Sequence, residues 1–258
     1  MELGLHEKVI IVTGGGSGIG ASVVDKLSLI GATPVIIDKS KPDETFNEII
    51  KKRCPGAIWK TLDLCDDQDC KKAVEDILTK LSRIDGLVNN AGLNDAVGIL
   101  AGPNEFRKSL DRNLVHYYTM ANLCIRELIK TKGAIVNVSS KVALTGQSET
   151  SAYAAAKGGI LALTREWAAE HSNRGLRVNA VIPGEVMTPM YKKWLEGFKT
   201  PNEKLKQINS RIPLEKRMTK VEELAMPIVF LLSQWAGHIT GQFLVVDGGY
   251  SHLDRAIT

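Results

Sequence analysis

The stretch VTGGGSGIG, residues 12–20, decides the fold of this chain. It follows the apolar run KVIIVT (8–13) and opens a helix-length segment, so a buried strand enters the glycines and a helix leaves them. Gly14, Gly18 and Gly20 permit a tight turn, a close backbone approach and close helix packing, while the amides at the start of the helix can bind a phosphate. A lone glycine pattern is equally compatible with a plain tight turn, so its surroundings must decide between the two.

The rest of the chain repeats this alternation of a short β-rich run and a longer amphipathic segment. Several runs contain consecutive Val, Ile and Leu residues, which is typical of strands buried on both faces of a parallel sheet. The predicted strands are 8–13, 33–38, 57–62, 85–90, 134–139, 177–182 and 243–247, and the predicted helices are about 18–30, 43–53, 66–82, 103–131, 151–173 and 221–233. We therefore predict an α/β fold, a single doubly wound Rossmann domain over residues 1–258 with a seven-stranded parallel sheet and helices on both faces.

One segment, residues 185–219, departs from the alternation. It precedes the last helix and contains the densest lysines of the chain, in YKKWLEGFKTPNEKLK (191–206), which we interpret as the solvated faces of two short helices. An insertion after a strand end can close over a bound ligand and exclude water, so we predict that 185–219 forms a substrate lid.

The composition excludes several classes of protein. The 258 residues are 44% hydrophobic and 24% charged, which is typical of a soluble globular chain. The net charge is only +4 without a block of like charges, so no nucleic-acid partner is expected. No apolar run approaches the roughly 20 residues that cross a bilayer, and the first residues, MELGLHEK, lack an apolar signal core, so no membrane partner is expected either.

The cysteines and histidines indicate neither a disulfide framework nor a metal centre. Cys54, Cys65, Cys70 and Cys124 form no C-x-x-C pair, and the five histidines are scattered without an H-E-x-x-H motif. We expect reduced thiols, a cytoplasmic location and no bound metal.

Asp38, at the end of the second predicted strand, indicates which nucleotide would bind. An acidic residue at this distance from the glycines accepts a hydrogen bond from an adenosine ribose and repels a 2′-phosphate. Ser17 adds no positive charge for such a phosphate, whereas Lys39 could tolerate one. We therefore predict NAD as the cofactor, with NADP as the second choice.

A second short stretch, TSAYAAAKGG (150–159), carries the predicted chemistry. Alanine favours helix, and residues four apart lie on one helix face, so Tyr153 and Lys157 become neighbours with open space around them. Taken alone, the pair favours a packed tyrosine beside a solvated lysine, because isolated short motifs mislead often.

Together, in this order and at the strand ends, these motifs resemble the short-chain dehydrogenase/reductase family over essentially the whole chain. The resemblance rests on Thr13 to Gly20, Asp63-Leu64, Asn89 to Gly92, Asn113, Ser140, Tyr153 with Lys157, and Pro183-Gly184 followed by Thr188. Each motif alone is unspecific, whereas the ordered set is specific.

The resemblance implies an NAD(P)-dependent oxidoreductase with Asn113, Ser140, Tyr153 and Lys157 as catalytic residues. Tyr153 would be the general base, with its pKa lowered from about 10 by the Lys157 ammonium. Ser140 would hold the substrate oxygen, and Asn113 would support a water that relays protons from Lys157.

The resemblance also assigns cofactor contacts and an assembly. The implied cofactor-binding residues are Gly14, Ser17, Gly18, Ile19, Gly20, Asp38, Asp63, Leu64, Asn90, Ala91, Gly92, Pro183, Gly184, Val186 and Thr188, together with Tyr153 and Lys157. A homotetramer is implied, in which the helices that carry Asn113 and Tyr153 pair across a subunit interface. We interpret Tyr117, Tyr118, Cys124 and Trp167 as packing residues.

The loops beyond the strand ends are rich in hydrogen-bonding groups. The predicted substrate-binding residues are Asn94, Ser140, Lys141, Gln147, Tyr153 and Glu185. Such a density of donors and acceptors suits a small, polyhydroxylated sugar better than a steroid or an acyl chain, whose sites are largely apolar.

Within the family, the chain resembles the bacterial L-fucose dehydrogenase branch. The segments that carry this are NVSSKVALTGQSETSAYAAAK (137–157), LTREWA (163–168), VIPGEVMTPMY (181–191) and VDGGYSHLDR (246–255). This resemblance implies NAD-dependent oxidation of the anomeric hydroxyl of L-fucose, or of a related aldose, to the lactone. The alternatives are an NADPH-dependent reductase of a ketone or 3-oxoacyl thioester and, more remotely, a non-catalytic cofactor-binding regulator.

Overall fold

Seven parallel strands form one sheet in the computed structural model, which describes residues 2–253. The strands are β1 (Val9–Thr13), β2 (Thr33–Asp38), β3 (Ile58–Thr61), β4 (Gly86–Asn89), β5 (Ala134–Val138), β6 (Arg177–Pro183) and β7 (Phe243–Val246). Their order is β3-β2-β1-β4-β5-β6-β7, and every neighbouring pair is parallel. This confirms the predicted doubly wound sheet.

Helices cover both faces of the sheet. They are α1 (Gly18–Leu29), α2 (Glu44–Arg53), α3 (Asp67–Leu81), α4 (Pro103–Leu110), α5 (His116–Lys130), α6 (Ser151–His171), α7 (Pro189–Glu196), α8 (Pro201–Ser210) and α9 (Val221–Leu232). Successive residues of β1 point to opposite faces, so Ile10 joins the core under α1 and α9 while Ile11 joins the core under α3 and α5. Burial on both sides explains the continuous apolar runs of the strands.

The predicted helix 103–131 differs from the observed one in its middle. Asp111–Val115 form a π-helical turn that separates α4 from α5. A π-helical turn shifts the side chains around it, and such turns are frequent at functional sites. Asn113 lies in this π-helical turn, and the hydrophobic periodicity of the sequence does not predict the turn.

The predicted insertion 185–219 holds the two short helices α7 and α8. No described side chain of α8 is buried, in agreement with the predicted solvated faces. The role of this segment as a lid stays a prediction, as does the single domain, of which Met1 and residues 254–258 lie outside the described part.

A buried ladder of polar side chains fixes α6 on the sheet. Asn89 of β4 lies opposite Asn137 of β5, and its amide nitrogen donates to the Asn137 side-chain oxygen over 3.0 Å. The Asn137 amide donates in turn to Thr164 Oγ1 of α6, also over 3.0 Å, and all three residues are fully buried. Because an unpaired buried amide is costly, this ladder sets the register of the helix that carries Tyr153 and Lys157.

The glycine-rich turn can be tested by adding one carbon atom. In Gly20→Ala the new Cβ would lie 2.1 Å from the Gly14 carbonyl oxygen, so the turn or α1 must move. We expect the free energy of unfolding, measured in urea, to fall by about 2–3 kcal/mol or more. Gly158→Ala is the control, because a Cβ there meets nothing within 4 Å, and a gain of up to about 1 kcal/mol is expected from helix propensity. Equal stability of the two variants would contradict this account of the turn.

Candidate functional site

The site lies where the strand order reverses, beyond the carboxyl ends of β1 and β4. The chain leaves β1 towards β2 and β3 and returns to β4 on the other side, so a crevice opens between the two turns. The Asn90 amide crosses this crevice and donates to the backbone oxygens of Thr13, over 3.0 Å, and Gly14, over 3.2 Å. The backbone amides of Asn90 and Ala91 donate to Thr13 Oγ1. The side-chain nitrogen and the backbone amide of Asn90 therefore both join the two turns.

The glycine-rich turn fits a dinucleotide phosphate. Gly14 and Gly18 have φ angles of +62° and +54°, which an L side chain rarely adopts. Ser17 precedes α1 without a side-chain hydrogen bond to the helix, and the first turn of α1 contains no acidic residue. The first amides of the helix are thus available to an anion. Thr188, from beyond β6, lies across the turn, since a Cβ on Gly18 would be 3.2 Å from its methyl group.

Asp38 is held rigidly at the end of β2. Its Oδ2 accepts from the Gly16 amide and its Oδ1 from the Ser40 amide, both over 2.9 Å. A Cβ on Gly16 would lie 2.9 Å from Asp38 Oδ2 and 3.0 Å from the Trp59 ring, so little space lies between Gly16 and these two side chains. Trp59 was not predicted from the sequence, because it lies inside β3 and becomes a neighbour of Gly16 only through the sheet.

Lys39 is paired with a carboxylate other than Asp38. Its ammonium forms an exposed ion pair with Asp63 over 2.9 Å, and Asp63 Oδ1 also accepts from the Cys65 amide. The Cys65 amide and then Lys39 lower the pKa of Asp63. Lys39, the residue that favours NADP in the sequence, therefore has an acidic partner already.

Asn113 is fully buried and uses its side chain to hold the turn after β4. Its Oδ1 accepts from the Leu93 amide over 2.8 Å, and its Nδ2 donates to the Ser109 carbonyl over 3.0 Å. A Cβ on Gly92 would lie 2.9 Å from Asn113 Oδ1 and 3.5 Å from Lys157 Nζ. The π-helical turn thus brings Asn113, Gly92 and Lys157 together.

Lys157 is buried and hydrogen-bonds to uncharged oxygens. Its Nζ donates to Tyr117 Oη over 3.0 Å and to the Val138 carbonyl over 2.9 Å. Burial lowers the pKa of Lys157 to about 7. The backbone of Lys157 is fixed as well, since its carbonyl accepts from the Ser139 hydroxyl over 2.8 Å.

The packing roles predicted for four residues hold only in part. Cys124 and Trp167 do lie in the core. Tyr117 is fully buried, as expected of a packing residue, but its hydroxyl also accepts a hydrogen bond from Lys157 Nζ. Tyr118 is 55% exposed, so it packs least of the four.

Tyr153 lies partly buried one turn before Lys157, whose Nζ is 5.5 Å from its ring centre. Burial raises the pKa of Tyr153 to about 12, the Ser140 hydroxyl opposes this rise, and the negative charge of Asp95 adds to it. The expected fall of the tyrosine pKa is therefore not found in this arrangement. Burial is the largest cause, and Lys157 Nζ donates to Tyr117 Oη and the Val138 carbonyl.

Lys141 and Glu185, two predicted sugar contacts, bind each other. Lys141 Nζ lies 2.7 Å from Glu185 Oε1, with only 7% and 15% of the two side chains exposed. Tyr191 of α7 donates to Glu185 Oε2 over 2.9 Å, and the Lys141 ammonium lies 4.3 Å from the centre of the Tyr250 ring. We call Lys141, Glu185 and Tyr191 the charged cluster. It connects the loop after Ser140 to the predicted lid.

The remaining predicted residues are spread around this centre. Ser140 begins a short helical turn, and its Oγ accepts from the Val142 amide over 3.4 Å. Asn94 and Gln147 are exposed, and Asn94 bonds its own loop at Ala96. The predicted cofactor residues Ile19, Leu64 and Val186 pack against the hydrophobic cores, and a Cβ on Gly184 would contact Asp247. Among residues 2–253, no group of three His, Cys, Asp or Glu side chains could hold a metal ion, and no helix is long and apolar enough to cross a membrane.

Comparison with known proteins places this arrangement in a family. A family model described as Enoyl-(Acyl carrier protein) reductase matches residues 14–251. L-fucose dehydrogenase of Bos taurus is 35% identical over 94% of this chain and 88% of its own length. The chain belongs to the short-chain dehydrogenase/reductase family. It is accordingly an NAD(P)-dependent oxidoreductase.

Other members of the family are similar to about the same degree. The 3-oxoacyl-(acyl-carrier-protein) reductase FabG of Thermotoga maritima is 36% identical over 95% of this chain and 98% of its own length. The crystal structure of Cj0485 dehydrogenase covers 100% of this chain and 99% of its own, with a TM-score of 0.97 and 42% identity. These relatives establish the fold and the reaction class of this dehydrogenase but leave its substrate open.

The lowered pKa of Lys157 predicts how its removal changes stability with pH. Unfolded lysine titrates near 10.5 and the folded side chain near 7, so between these values the unfolded chain binds one more proton and wild-type stability rises with pH. Lys157→Met lacks this contribution. We therefore subtract the unfolding free energy of wild type from that of Lys157→Met. This difference should be largest below pH 7 and should fall by up to about 1.4 kcal/mol per pH unit above pH 7. Urea unfolding of both proteins from about pH 6 to about pH 10 measures the difference, and a constant difference would show that Lys157 is not buried as described.

Proposed function

We propose that this chain is a sugar dehydrogenase that uses NAD to oxidise the anomeric hydroxyl of L-fucose, or of a closely related aldose, to the lactone. The observation that carries the proposal is the charged cluster beside Ser140. The similarity to L-fucose dehydrogenases, at 35% identity for the Bos taurus protein, supports the same substrate class.

The charged cluster favours a polyhydroxylated substrate for a physical reason. A buried ion pair contributes little to stability, because the desolvation of two charges offsets most of their attraction. Lys141 follows Ser140 and Glu185 follows Gly184, so the pair lies at the wall of the proposed site. An ammonium donates and a carboxylate accepts, which matches neighbouring hydroxyls of a pyranose. An acyl or steroid substrate would favour apolar side chains at these positions.

The proposed chemistry assigns one role to each catalytic residue. When bound, NAD supplies the hydride acceptor, and the glycine-rich turn, Asp38 and Thr188 hold it. Tyr153 removes the proton of the sugar hydroxyl while Ser140 donates a hydrogen bond to the same oxygen. The Lys157 ammonium stabilises the Tyr153 phenolate, against the rise in pKa that burial causes. Asn113 positions the turn after β4, since its Oδ1 accepts from the Leu93 amide while its Nδ2 donates to Ser109.

The surroundings of Asp38 support NAD over NADP. A 2′-phosphate would meet the Asp38 carboxylate, which two backbone amides fix in place, and the Trp59 ring behind Gly16. Lys39, the cation next in sequence, is paired with Asp63. Repulsion and crowding therefore both act against the additional phosphate.

We further propose a cytoplasmic homotetramer with α7 and α8 as its substrate lid. Support for an assembly comes from apolar surface on the π-helical turn before α5 and on α6, where Val115 is 42% exposed and Leu114, Ala162 and Leu163 line a shallow groove. Support for the lid comes from the Tyr191 hydroxyl, which ties α7 to Glu185 at the site. The four cysteines are free thiols, which agrees with a reducing compartment.

A 3-oxoacyl thioester reductase is the second candidate, because FabG of Thermotoga maritima is as similar in sequence as the sugar dehydrogenase. Asp38 and the charged cluster favour the first candidate over this one.

The proposal predicts strong NADH production from L-fucose. The purified protein is incubated with NAD and with L-fucose or its stereoisomers, and then with NADP, while NADH or NADPH is followed by absorbance. We expect turnover of L-fucose or a close stereoisomer with NAD, and no reduction of a 3-oxoacyl thioester by NADPH. Reduction of the thioester without oxidation of any aldose would contradict the proposal.

Two variants locate the activity in the proposed site. Tyr153→Phe should abolish turnover while NAD binding stays nearly unchanged. The double variant Lys141→Met with Glu185→Gln removes both charges of the ion pair, so neither is left buried alone. It should raise the KM for L-fucose about tenfold and leave the KM for NAD unchanged. An unchanged KM for L-fucose would exclude the charged cluster from sugar binding.

The cofactor assignment is tested at Asp38. We expect Asp38→Ala to weaken NAD binding about tenfold and to narrow its advantage over NADP, since a charge-assisted hydrogen bond to the ribose is lost. Asp38→Asn keeps the shape but removes the repulsion, so its NADP affinity should rise. Asp43→Ala is the control, because Asp43 caps α2 through the Phe46 amide outside the site. Full NAD preference in both Asp38 variants would refute the assignment.

A further inference from the structure

We propose that Tyr117 is a positioning residue for Lys157: together with the Val138 carbonyl it fixes the ammonium so that the third N–H is left for the side of the site on which Gly92 lies. The inference rests on the proposed catalytic role of Lys157. It concerns a residue whose sequence position indicates packing only.

The argument starts from the hydrogen bonds of the ammonium. An ammonium group has three N–H donors. One donates to Tyr117 Oη over 3.0 Å and one to the Val138 carbonyl over 2.9 Å. The third is left for the side on which Gly92 lies, where a Cβ would be 3.5 Å from Nζ. Two fixed acceptors thus decide where the remaining N–H points.

Tyr117 is itself fixed, which makes it a better acceptor than a mobile group. Its hydroxyl donates to the Val138 carbonyl over 3.0 Å, so the oxygen lone pairs remain for Lys157. The residue is fully buried, and its ring packs 4.9 Å from the His116 ring. Lys157 Nζ also lies 4.9 Å from the centre of the Tyr117 ring. The Tyr117 hydroxyl, the Val138 carbonyl and the Lys157 ammonium are therefore joined to one another by three hydrogen bonds.

Tyr117 does not act as a second general base. It has no exposed surface, whereas Tyr153 is partly exposed and can meet a substrate. Burial, followed by the nearby Tyr153, raises the pKa of Tyr117 well above its usual value, so its hydroxyl stays protonated. Its effect on the reaction must pass through Lys157.

Few other titratable groups act on Lys157. The titratable neighbour of Lys157 on α6 is Tyr153, and its titratable neighbours on α5 are Tyr117 and His116. Burial and then the Lys157 charge lower the pKa of His116 to about 4, so it is neutral at physiological pH. From β5 the contact is the Val138 carbonyl and from the turn after β4 it is Gly92. The Tyr117 hydroxyl is therefore a main polar determinant of how readily Lys157 stays charged.

The test is Tyr117→Phe, which removes only the hydroxyl and keeps the packed ring. Without this acceptor the charged form of Lys157 is less favoured and its pKa falls, so a higher pH is needed before Tyr153 can lose its proton. With L-fucose and NAD we expect kcat to fall about tenfold at pH 7, and the acid limb of its pH profile to move up by about one unit. The KM for L-fucose should not change. NADH binding, followed by its fluorescence, should weaken severalfold. The control is Tyr118→Phe, on the neighbouring residue whose side chain is exposed, and it should match wild type in all four measurements.

A double variant separates positioning from a merely structural role. If Tyr117 acts through Lys157, adding Tyr117→Phe to Lys157→Met should cause no further loss of kcat or NADH binding. Additive losses, or a wild-type pH profile and NADH affinity in Tyr117→Phe, would overturn the inference. Failure of the proposed function would look different, because wild type would then not oxidise L-fucose at all. In that case NADH binding alone would still decide whether Tyr117 positions Lys157.

Discussion

The side-chain amide of Asn90, bonded to the backbone oxygens of Thr13 and Gly14, joins the two turns around which the site is built. These turns follow β1 and β4, which are adjacent strands whose chains leave in opposite directions. A crevice is unavoidable at this position in a doubly wound sheet. The amide holds the two turns together at this crevice. Other site elements reach this frame from outside, Thr188 from beyond β6 and Asn113 from the π-helical turn.

Two buried lysines in this site are accommodated in opposite ways. Lys141 Nζ forms an ion pair with the Glu185 carboxylate at 2.7 Å, and the Tyr191 hydroxyl donates a hydrogen bond to the same carboxylate. Lys157 meets only a phenol and a carbonyl, so burial lowers its pKa to about 7. A lysine with this pKa gains or loses its proton near physiological pH, which suits a group proposed to control the ionisation of Tyr153. The first arrangement suits recognition of hydroxyl groups and the second suits proton transfer.

Such a site reduces stability, and the rest of the fold offsets the loss. A buried lysine, a buried ion pair and a turn that only glycine can form are each unfavourable when considered alone. They lie against a sheet whose strands are covered on both faces, and against a helix held by the Asn89, Asn137 and Thr164 ladder. Because this support is rigid, the site side chains can keep positions that they would not adopt in a loose loop.

The sequence by itself determined the parallel sheet, the glycine-rich turn and the spacing of Tyr153 and Lys157, because strand burial, glycine geometry and helix periodicity are local properties. Even the short helices of 185–219 followed from local composition. Only the tertiary structure decided that Tyr117 bonds Lys157, that Lys141 bonds Glu185, and that Trp59 lies behind Gly16 next to Asp38. These contacts join residues from different strands and helices, and the π-helical turn that contributes Asn113 has no sequence period of its own. Where a buried charge finds its partner depends on how the layers pack, and that packing is a property of the whole chain.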